Sequence, residues 1–421
     1  MQLHEQALIN FVDLIMKRNL AFPIVLFSIL IFAEIVSYLA VRNFFVEQKS
    51  NLKLFNWIWW SSTAALYLMV FTTRSLESNF AKNVLVNIFM FILILKLFIG
   101  LVFFISSIVQ FIQSYFLTEK LSVENSLGRR KFASKIALGT ASIPFSSMLW
   151  GVFKTAYDFK IHEVKVNSSK IPSSFHGLRI VQLSDIHTGS LQGEKQLQKA
   201  VDLVKGLKPD VVVFTGDLVN NQSNEALPYL EILKQITAPL GVFSVLGNHD
   251  YGDYYSWNSE HEKKKNMQEM FEIHQNLNWK LLMNEHVSLE KNGESIALIG
   301  IENWGANLNF KKYGDLNKAY QGSENHPYKI LLSHDPSHWS TEVKEFYKDI
   351  DLTLSGHTHG FQFGVEIPGF KWSPSQYIYP QWSGLYKNNE QLLYVNRGLG
   401  CLGYMGRIGI KPEITLIELN T

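Results

Sequence analysis

The first third of the chain is dominated by long apolar runs. Residues 54–72 hold no charged side chain, residues 21–41 hold only Glu34, and residues 84–118 hold only Lys96. Such runs predict membrane spans. Ala21–Val41 and Leu54–Thr72 are each long enough to cross about 30 Å of hydrocarbon at about 1.5 Å per residue. Val84–Leu117 exceeds one untilted span and is read as a single extended helix, because no turn signal reverses the chain there. Ile136–Phe153, after the basic cluster Arg129, Arg130, Lys131 and Lys135, completes four spans. Ahead of them Leu3, Leu8, Phe11, Val12 and Ile15 recur near helical spacing, as in an amphipathic helix at the interface or a short cap on the bundle.

From about residue 154 the pattern changes to short apolar runs alternating with polar helical stretches, which is α/β patterning. Residues 1–153 therefore read as a transmembrane region and residues 154–421 as a separate domain, long enough for one large core or two small ones.

Composition narrows the classes. Of 421 residues only 18% are charged and 47% are hydrophobic, which excludes an entirely soluble protein. The formal charge of +2 gives no reason to expect a nucleic-acid partner, and the single cysteine, Cys401, forbids an intrachain disulfide. With four spans, Arg42, Lys49, Lys53, Lys120, Arg129, Arg130, Lys131 and Lys135 share one side, against Lys17, Arg18, Arg74 and Lys82 on the other. Lysines and arginines gather on the cytoplasmic side, so both termini and the 154–421 domain are expected outside the cytoplasm. Gly128–Ala133, with its paired arginines ahead of an apolar segment, resembles a twin-arginine export signal. Glu34 and Lys96 are costly inside spans unless they pair, snorkel or pack against polar groups.

The candidate chemistry sits where apolar runs end. Ile180–Ser184 leads to Asp185-Ile186-His187, Val211–Thr215 leads to Gly216-Asp217, and Val242–Leu246 leads to Gly247-Asn248-His249-Asp250. Ile330–Ser333 leads to His334-Asp335, and Leu352–Ser355 leads to Gly356-His357-Thr358-His359. Imidazole and carboxylate together suit Mn, Fe, Zn or Co, whereas a structural zinc site would recruit cysteines. The donors are too many for one ion. They suit two ions about 3.5–4 Å apart with a bridging carboxylate, an arrangement that clamps a phosphoryl group and generates hydroxide near neutral pH.

The ordered set Asp185-x-His187, Gly216-Asp217, Gly247-Asn248-His249-Asp250, Ser333-His334 and Gly356-His357-Thr358-His359 resembles the calcineurin-like metallophosphoesterase superfamily, over about residues 176–421. Asn284-Glu285-His286, Asn396–Gly400 and Pro412–Thr415 resemble its membrane-associated bacterial branch. The resemblance implies two facing β-sheets flanked by helices. It implies that Asp185, His187 and His359 bind one metal, that Asn248, His334 and His357 bind the other, and that Asp217 bridges them. It further implies that His249 protonates the leaving oxygen or stabilises the transition state, with Asp250 orienting it through a ring nitrogen. Asn220 departs from the pattern, since related sequences often carry a carboxylate there.

The expected activity is a membrane-anchored phosphohydrolase, a phosphodiesterase or phosphatase, with two divalent ions (Mn, Fe or Zn) and a lipid-linked phosphoester substrate. A cytoplasm-facing pyrophosphatase for a UDP-diacylglucosamine-type substrate and a non-catalytic membrane-bound metal or ligand sensor are the alternatives. After the last motif come Phe361, Phe363, Phe370, Trp372, Tyr377, Tyr379, Trp382 and Tyr386, which either wall the pocket, meet lipid headgroups or pack in the core.

Overall fold

The computed structural model describes residues 21–47, 51–72, 79–116, 123–306 and 310–421. The amphipathic stretch expected at residues 3–15 lies outside them. Two compact units are present, Met1–Met148 and Leu149–Thr421.

Four long helices occupy the predicted positions: α1 Ala21–Glu47, α2 Leu52–Thr72, α3 Asn79–Phe116 and α4 Val123–Phe153. Over its described residues, 84–116, the 84–117 run is one continuous helix. Among the described residues, two segments are long and apolar enough to cross a bilayer, Val84–Ile112 and Phe132–Tyr157, rather than the four expected. α2 dilutes its apolar residues with Asn56, Ser61, Ser62 and Thr63. Glu34 and Lys96 pair with each other. The Lys96 ammonium lies 2.8 Å from the Glu34 carboxylate, which also accepts hydrogen bonds from Trp59 Nε1 and Thr63 Oγ1 at 2.8 Å each. Three helices thus share one satisfied polar cluster, the arrangement that makes a buried charge tolerable.

The second unit begins with strands β1 Lys160–Asn167, β2 Leu178–Leu183, β3 Val211–Phe214, β4 Val242–Ser244 and β5 Lys280–Leu281. Between them run α5 Glu194–Gly206 and α6 Glu260–Asn276. Then come β6 Glu285–Lys291, β7 Glu294–Gly300, β8 Lys329–Leu332, β9 Leu352–Ser355, the hairpin β10 Val365–Ile367 and β11 Phe370–Trp372, and β12 Gly384–Asn388, β13 Gln391–Val395 and β14 Glu413–Asn420. Two six-stranded sheets result, ordered β1-β14-β2-β3-β4-β5 and β12-β13-β9-β8-β7-β6.

Strand alternation explains the layering. In β2, Leu178 and Ile180 enter a core shared with Ile330, Leu332, Leu352 and Leu354 of the other sheet. Val181 and Leu183 point the opposite way, to Leu197, Val201 and Val204 of α5 and Ile273 of α6. Trp339, Val343 and Leu316 cover the outer face of the second sheet. The architecture is therefore the helix–sheet–sheet–helix sandwich expected. Gln182 sits on the inner face and donates to the Ser355 carbonyl at 2.9 Å, tying the end of β2 to the end of β9.

One buried ion pair holds β14 to the β13 end. Glu413 accepts from Arg397 Nη1 and Tyr394 Oη at 2.5 Å each and from Thr415 Oγ1 at 2.6 Å. Burial alone would raise the Glu413 carboxyl, but the Arg397 charge and these donors hold it at about 2. A carboxyl depressed in the folded state stabilises above its unfolded pKa of ~4.3, and that contribution disappears as pH falls toward 2. Between pH 4.5 and 2.5 the wild-type chain should lose roughly 2 kcal/mol more stability than Glu413→Gln. Denaturant titrations of the full chain in detergent check this, and parallel pH profiles would refute it.

Candidate metal centre

All five predicted strand ends open on one edge of the sandwich. β2, β3 and β4 run parallel in one sheet and β8 and β9 run parallel in the other, so their carboxyl ends deliver the motif residues to a common place. The local backbone is strained to do it. Asp185, His187, Asp217, His357 and His359 all take positive φ, between 48° and 71°. Left-handed backbone costs a non-glycine residue about 1 kcal/mol, so its recurrence at these five residues marks a site that the rest of the fold over-determines. Close approach also demands glycine. A Cβ on Gly247 would lie 2.7 Å from Asp217 Cγ, so the β3 and β4 loops could not meet with any larger residue there.

Two donor groups result. Asp185, His187 and His359 form one, and Asp217, His334 and His357 form the other, each with its ligand-type atoms within 4.8 Å of one another. His187 Nε2 faces His359 Nε2 at 3.1 Å, and His334 Nε2 faces His357 Nδ1 at 3.2 Å. Asp217 Oδ2 joins the groups, lying 3.1 Å from His334 Nε2 and 3.6 Å from His187 Nε2. Asp185 Oδ1 is 3.2 Å from His359 Nε2. Ligands about 2.1 Å from a shared ion and roughly at right angles lie about 3 Å apart, so these separations fit divalent cations.

Neighbouring groups set the orientation of the donors. His334 Nδ1 donates to the Thr215 carbonyl at 2.7 Å, which turns Nε2 toward the site. Asn248 Nδ2 donates to Tyr254 Oη at 3.0 Å, while Asn248 Oδ1 is buried without a hydrogen-bond partner, as an amide oxygen reserved for a cation would be. Tyr379 Oη lies 2.8 Å from His357 Nε2. The charges are strongly coupled. Burial pushes the His187 imidazole down to about 3. Burial also opposes the charge of His334, yet Asp217 beside it wins and raises that imidazole to about 10. The Asp217 carboxyl, penalised by burial, is nevertheless held well below the usual carboxylate range by His334 and His249.

The structure corrects one expectation. Asp250 does not meet a ring nitrogen of His249; His249 Nδ1 lies 2.6 Å from the Asn220 carbonyl and donates to it, which leaves Nε2 for the cleft. The Asn220 side chain points elsewhere, its Nδ2 donating to Ser190 Oγ at 2.7 Å. The Asp250 carboxylate instead accepts the backbone N–H groups of Asp217, Leu218, Val219 and Gly247 at 2.8–3.2 Å, clasping the β3 and β4 loops together. Burial and the neighbouring Asp217 charge raise it to about 7.

Over the site lies a cleft of about 570 Å³ lined by Asp217, Asn248, His249, His357 and His359 and walled by Tyr254, Phe310, Phe361, Tyr379, Leu402 and Tyr404. Sequence reading missed Tyr254, Phe310 and Tyr404 and the carbonyl role of Asn220. Tyr254 alone left a usable signal, since it falls six residues beyond Asn248 in the same loop. The expected aromatic cluster divides: Phe361 and Tyr379 wall the cleft, and Tyr379 and Trp382 are buried with Ile410.

A two-sheet sandwich whose strand ends present two linked carboxylate–imidazole groups is a framework suited to binding divalent metal ions. Residues 178–361 match the family model "Calcineurin-like phosphoesterase", and residues 17–156 match "Probable Calcineurin-like phosphoesterase, transmembrane domain". The chain is 35% identical to a transmembrane protein with metallophosphoesterase domain from Danio rerio, over 65% of this chain and 60% of that protein. It is 30% identical to the metallophosphoesterase YkuE of Bacillus subtilis over 62% of this chain and 85% of YkuE. It is 29% identical to the UDP-2,3-diacylglucosamine pyrophosphatase LpxG of Chlamydia muridarum, over 59% of this chain and 86% of LpxG. The match spans less than two thirds of the Danio rerio protein and of its Bos taurus counterpart, 60% and 64% of their lengths. The chain belongs to the calcineurin-like metallophosphoesterase family.

Removing the Asp250 carboxylate orphans four buried N–H groups, each costing about 1–3 kcal/mol. Asp250→Ala should therefore lower the thermal midpoint sharply, and Asp250→Asn should lower it less because one acceptor oxygen remains. A variant of unchanged stability that lost only turnover would return Asp250 to a purely catalytic role.

Proposed function

We propose that this chain is a membrane-anchored phosphohydrolase that uses two divalent cations to hydrolyse a lipid-linked phosphoester. The observation that carries the reading is the sharing of Asp217 between the two donor groups, through Oδ2 contacts to His334 and His187. Asp185, His187 and His359 would hold one ion, Asn248, His334 and His357 the other, and Asp217 both. When bound, the pair of cations supplies charge neutralisation for the phosphoryl oxygens and a water acidified toward pH 7.

The remaining steps belong to side chains. His249, anchored by the Asn220 carbonyl, keeps Nε2 free in the cleft to protonate the departing oxygen. Tyr379 and Thr215 hold His357 and His334 in orientation. The aromatic walls exclude water and receive an apolar substituent of the ester, and among the described residues no Lys or Arg lines the cleft to take a second phosphate. That favours a single phosphoester on an apolar carrier. Similarity to LpxG favours a second reading, cleavage of a UDP-diacylglucosamine-type diphosphate from the cytoplasmic face. Lys120, Arg129, Arg130 and Lys131, which lie between the two segments long and apolar enough to cross, support the extracytoplasmic orientation instead.

Asp217→Asn and His357→Ala should lose bound metal and at least about a hundredfold in turnover, whereas His249→Ala should keep its metal and lose about 10²–10⁴-fold. Metal analysis of purified variants beside a chromogenic phosphodiester assay tests this, and unchanged rates in all three would end the proposal. A compartment-sensitive reporter fused after Thr421 should report a non-cytoplasmic location; a cytoplasmic signal would favour the diphosphate reading.

A further inference from the structure

The hairpin formed by β10 and β11 is inside out. Its register pairs Val365 with Trp372 and Ile367 with Phe370, which puts these four side chains on one face and the Glu366–Lys371 pair on the other. In a water-bathed domain the apolar face would turn inward. Here Glu366 is half-buried, and Lys371, though itself exposed, directs its ammonium toward the protein. Glu366 Oε1 accepts from buried Arg397 at 2.5 Å, and Lys371 Nζ donates to the Ser383 carbonyl at 2.6 Å beneath the rings of Trp382 and Tyr386. The apolar face is left outward, with Val365 43%, Ile367 58% and Phe370 54% exposed. Phe363, 45% exposed, sets its ring edge-on against Trp372 and extends the patch.

The surroundings say what covers it. Gly364 N–H donates to the Ile408 carbonyl at 2.9 Å, and Gln362 Nε2 donates to the carbonyls of Tyr404 and Gly406 at 2.6 and 2.9 Å. Arg407 N–H then donates to the Gly151 carbonyl at 3.2 Å, and Gly151 belongs to the apolar segment Phe132–Tyr157, long enough to cross a bilayer. All these contacts lie within the unit that begins at Leu149. Trp150 and Phe153 on that helix end are likewise 65% and 72% exposed. Hydrogen bonds through residues 404–408 thus link the entry of the hairpin to Gly151 near the end of that apolar segment, and aromatic side chains favour the membrane interface.

We propose that β10–β11 is a membrane-contact element that lays its apolar face on the bilayer carrying the chain's own helices. Phe361, which walls the cleft, is two residues from Phe363, so the cleft mouth opens beside the lipid surface and takes its substrate from there. The contact rests on membrane anchorage and not on the hydrolase reading; the two fail separately.

The test uses the full chain, with Cys401→Ala as background, reconstituted in phosphatidylethanolamine–phosphatidylglycerol vesicles. Nitroxides are placed at Ile367→Cys, at Phe370→Cys and, as a control on the far edge of the second sheet, at Glu290→Cys. Positions 367 and 370 should be accessible to oxygen and shielded from aqueous nickel chelate, and position 290 the reverse. Equal nickel access at all three positions overturns the proposal. Dipolar broadening at 367 that vanishes on dilution with unlabelled chain also overturns it, by showing that a second copy covers the patch. In parallel, Phe370→Asp should slow hydrolysis of a vesicle-borne phosphoester about tenfold while sparing a water-soluble chromogenic diester. Equal loss on both substrates would overturn the delivery role, and nitroxide access decides the contact even if neither substrate is cleaved.

Discussion

Four imidazoles and two carboxylates crowded within contact distance cannot satisfy one another. Ring nitrogens facing each other at 3.1 and 3.2 Å present lone pairs to lone pairs unless a proton or a cation stands between them. The fold accepts this because the cost is met elsewhere. Strands buried on both faces anchor the five loops, Asp250 clasps two of them through backbone amides, and Gln182 ties the sheets together just beneath. Left-handed backbone at the donors follows from the same constraint, since each loop must turn sharply off its strand to aim a side chain inward.

Much of this was legible in the order of residues because parallel strands deliver their carboxyl ends to one edge, and an apolar run followed by Asp, Asn or His announces such an end. β9 begins and ends where its pattern predicts, at Leu352–Ser355. What could not be read depends on distant backbone. The partner of His249 is a carbonyl 29 positions away, and a carbonyl has no letter in the sequence. The resemblance implies a ring-orienting role for Asp250, yet the N–H groups its carboxylate accepts come from the β3 loop and from Gly247. Pairing of Glu34 with Lys96 was one of several options on the page until helix packing put Trp59 and Thr63 beside them. The span count differed because polar residues spaced along α2 weaken its apolar character without interrupting its helix.

The aromatic cluster after the last motif shows how one stretch serves separate ends. Trp382 is core, Phe361 is wall, Tyr379 is both, and the hairpin between them turns its charged groups to the protein and its apolar residues to the outside. Phe361 and Gln362 join the metal-site loop to that hairpin through two consecutive left-handed residues, so the cleft and the hairpin are held at short range by stiff backbone in place of a loose linker.

β14 runs between β1 and β2, parallel to the first and antiparallel to the second. Lys160, just past the last membrane helix, therefore finds its neighbour only at Glu413, some 250 residues later in synthesis. Until the ribosome has made that segment, β1 stands beside the bilayer with both edges open, an invitation to wrong pairing. Completion of the first sheet is thus a late event in biogenesis, and a chain stopped short of residue 413 would leave the emerging domain divided from its own membrane stem.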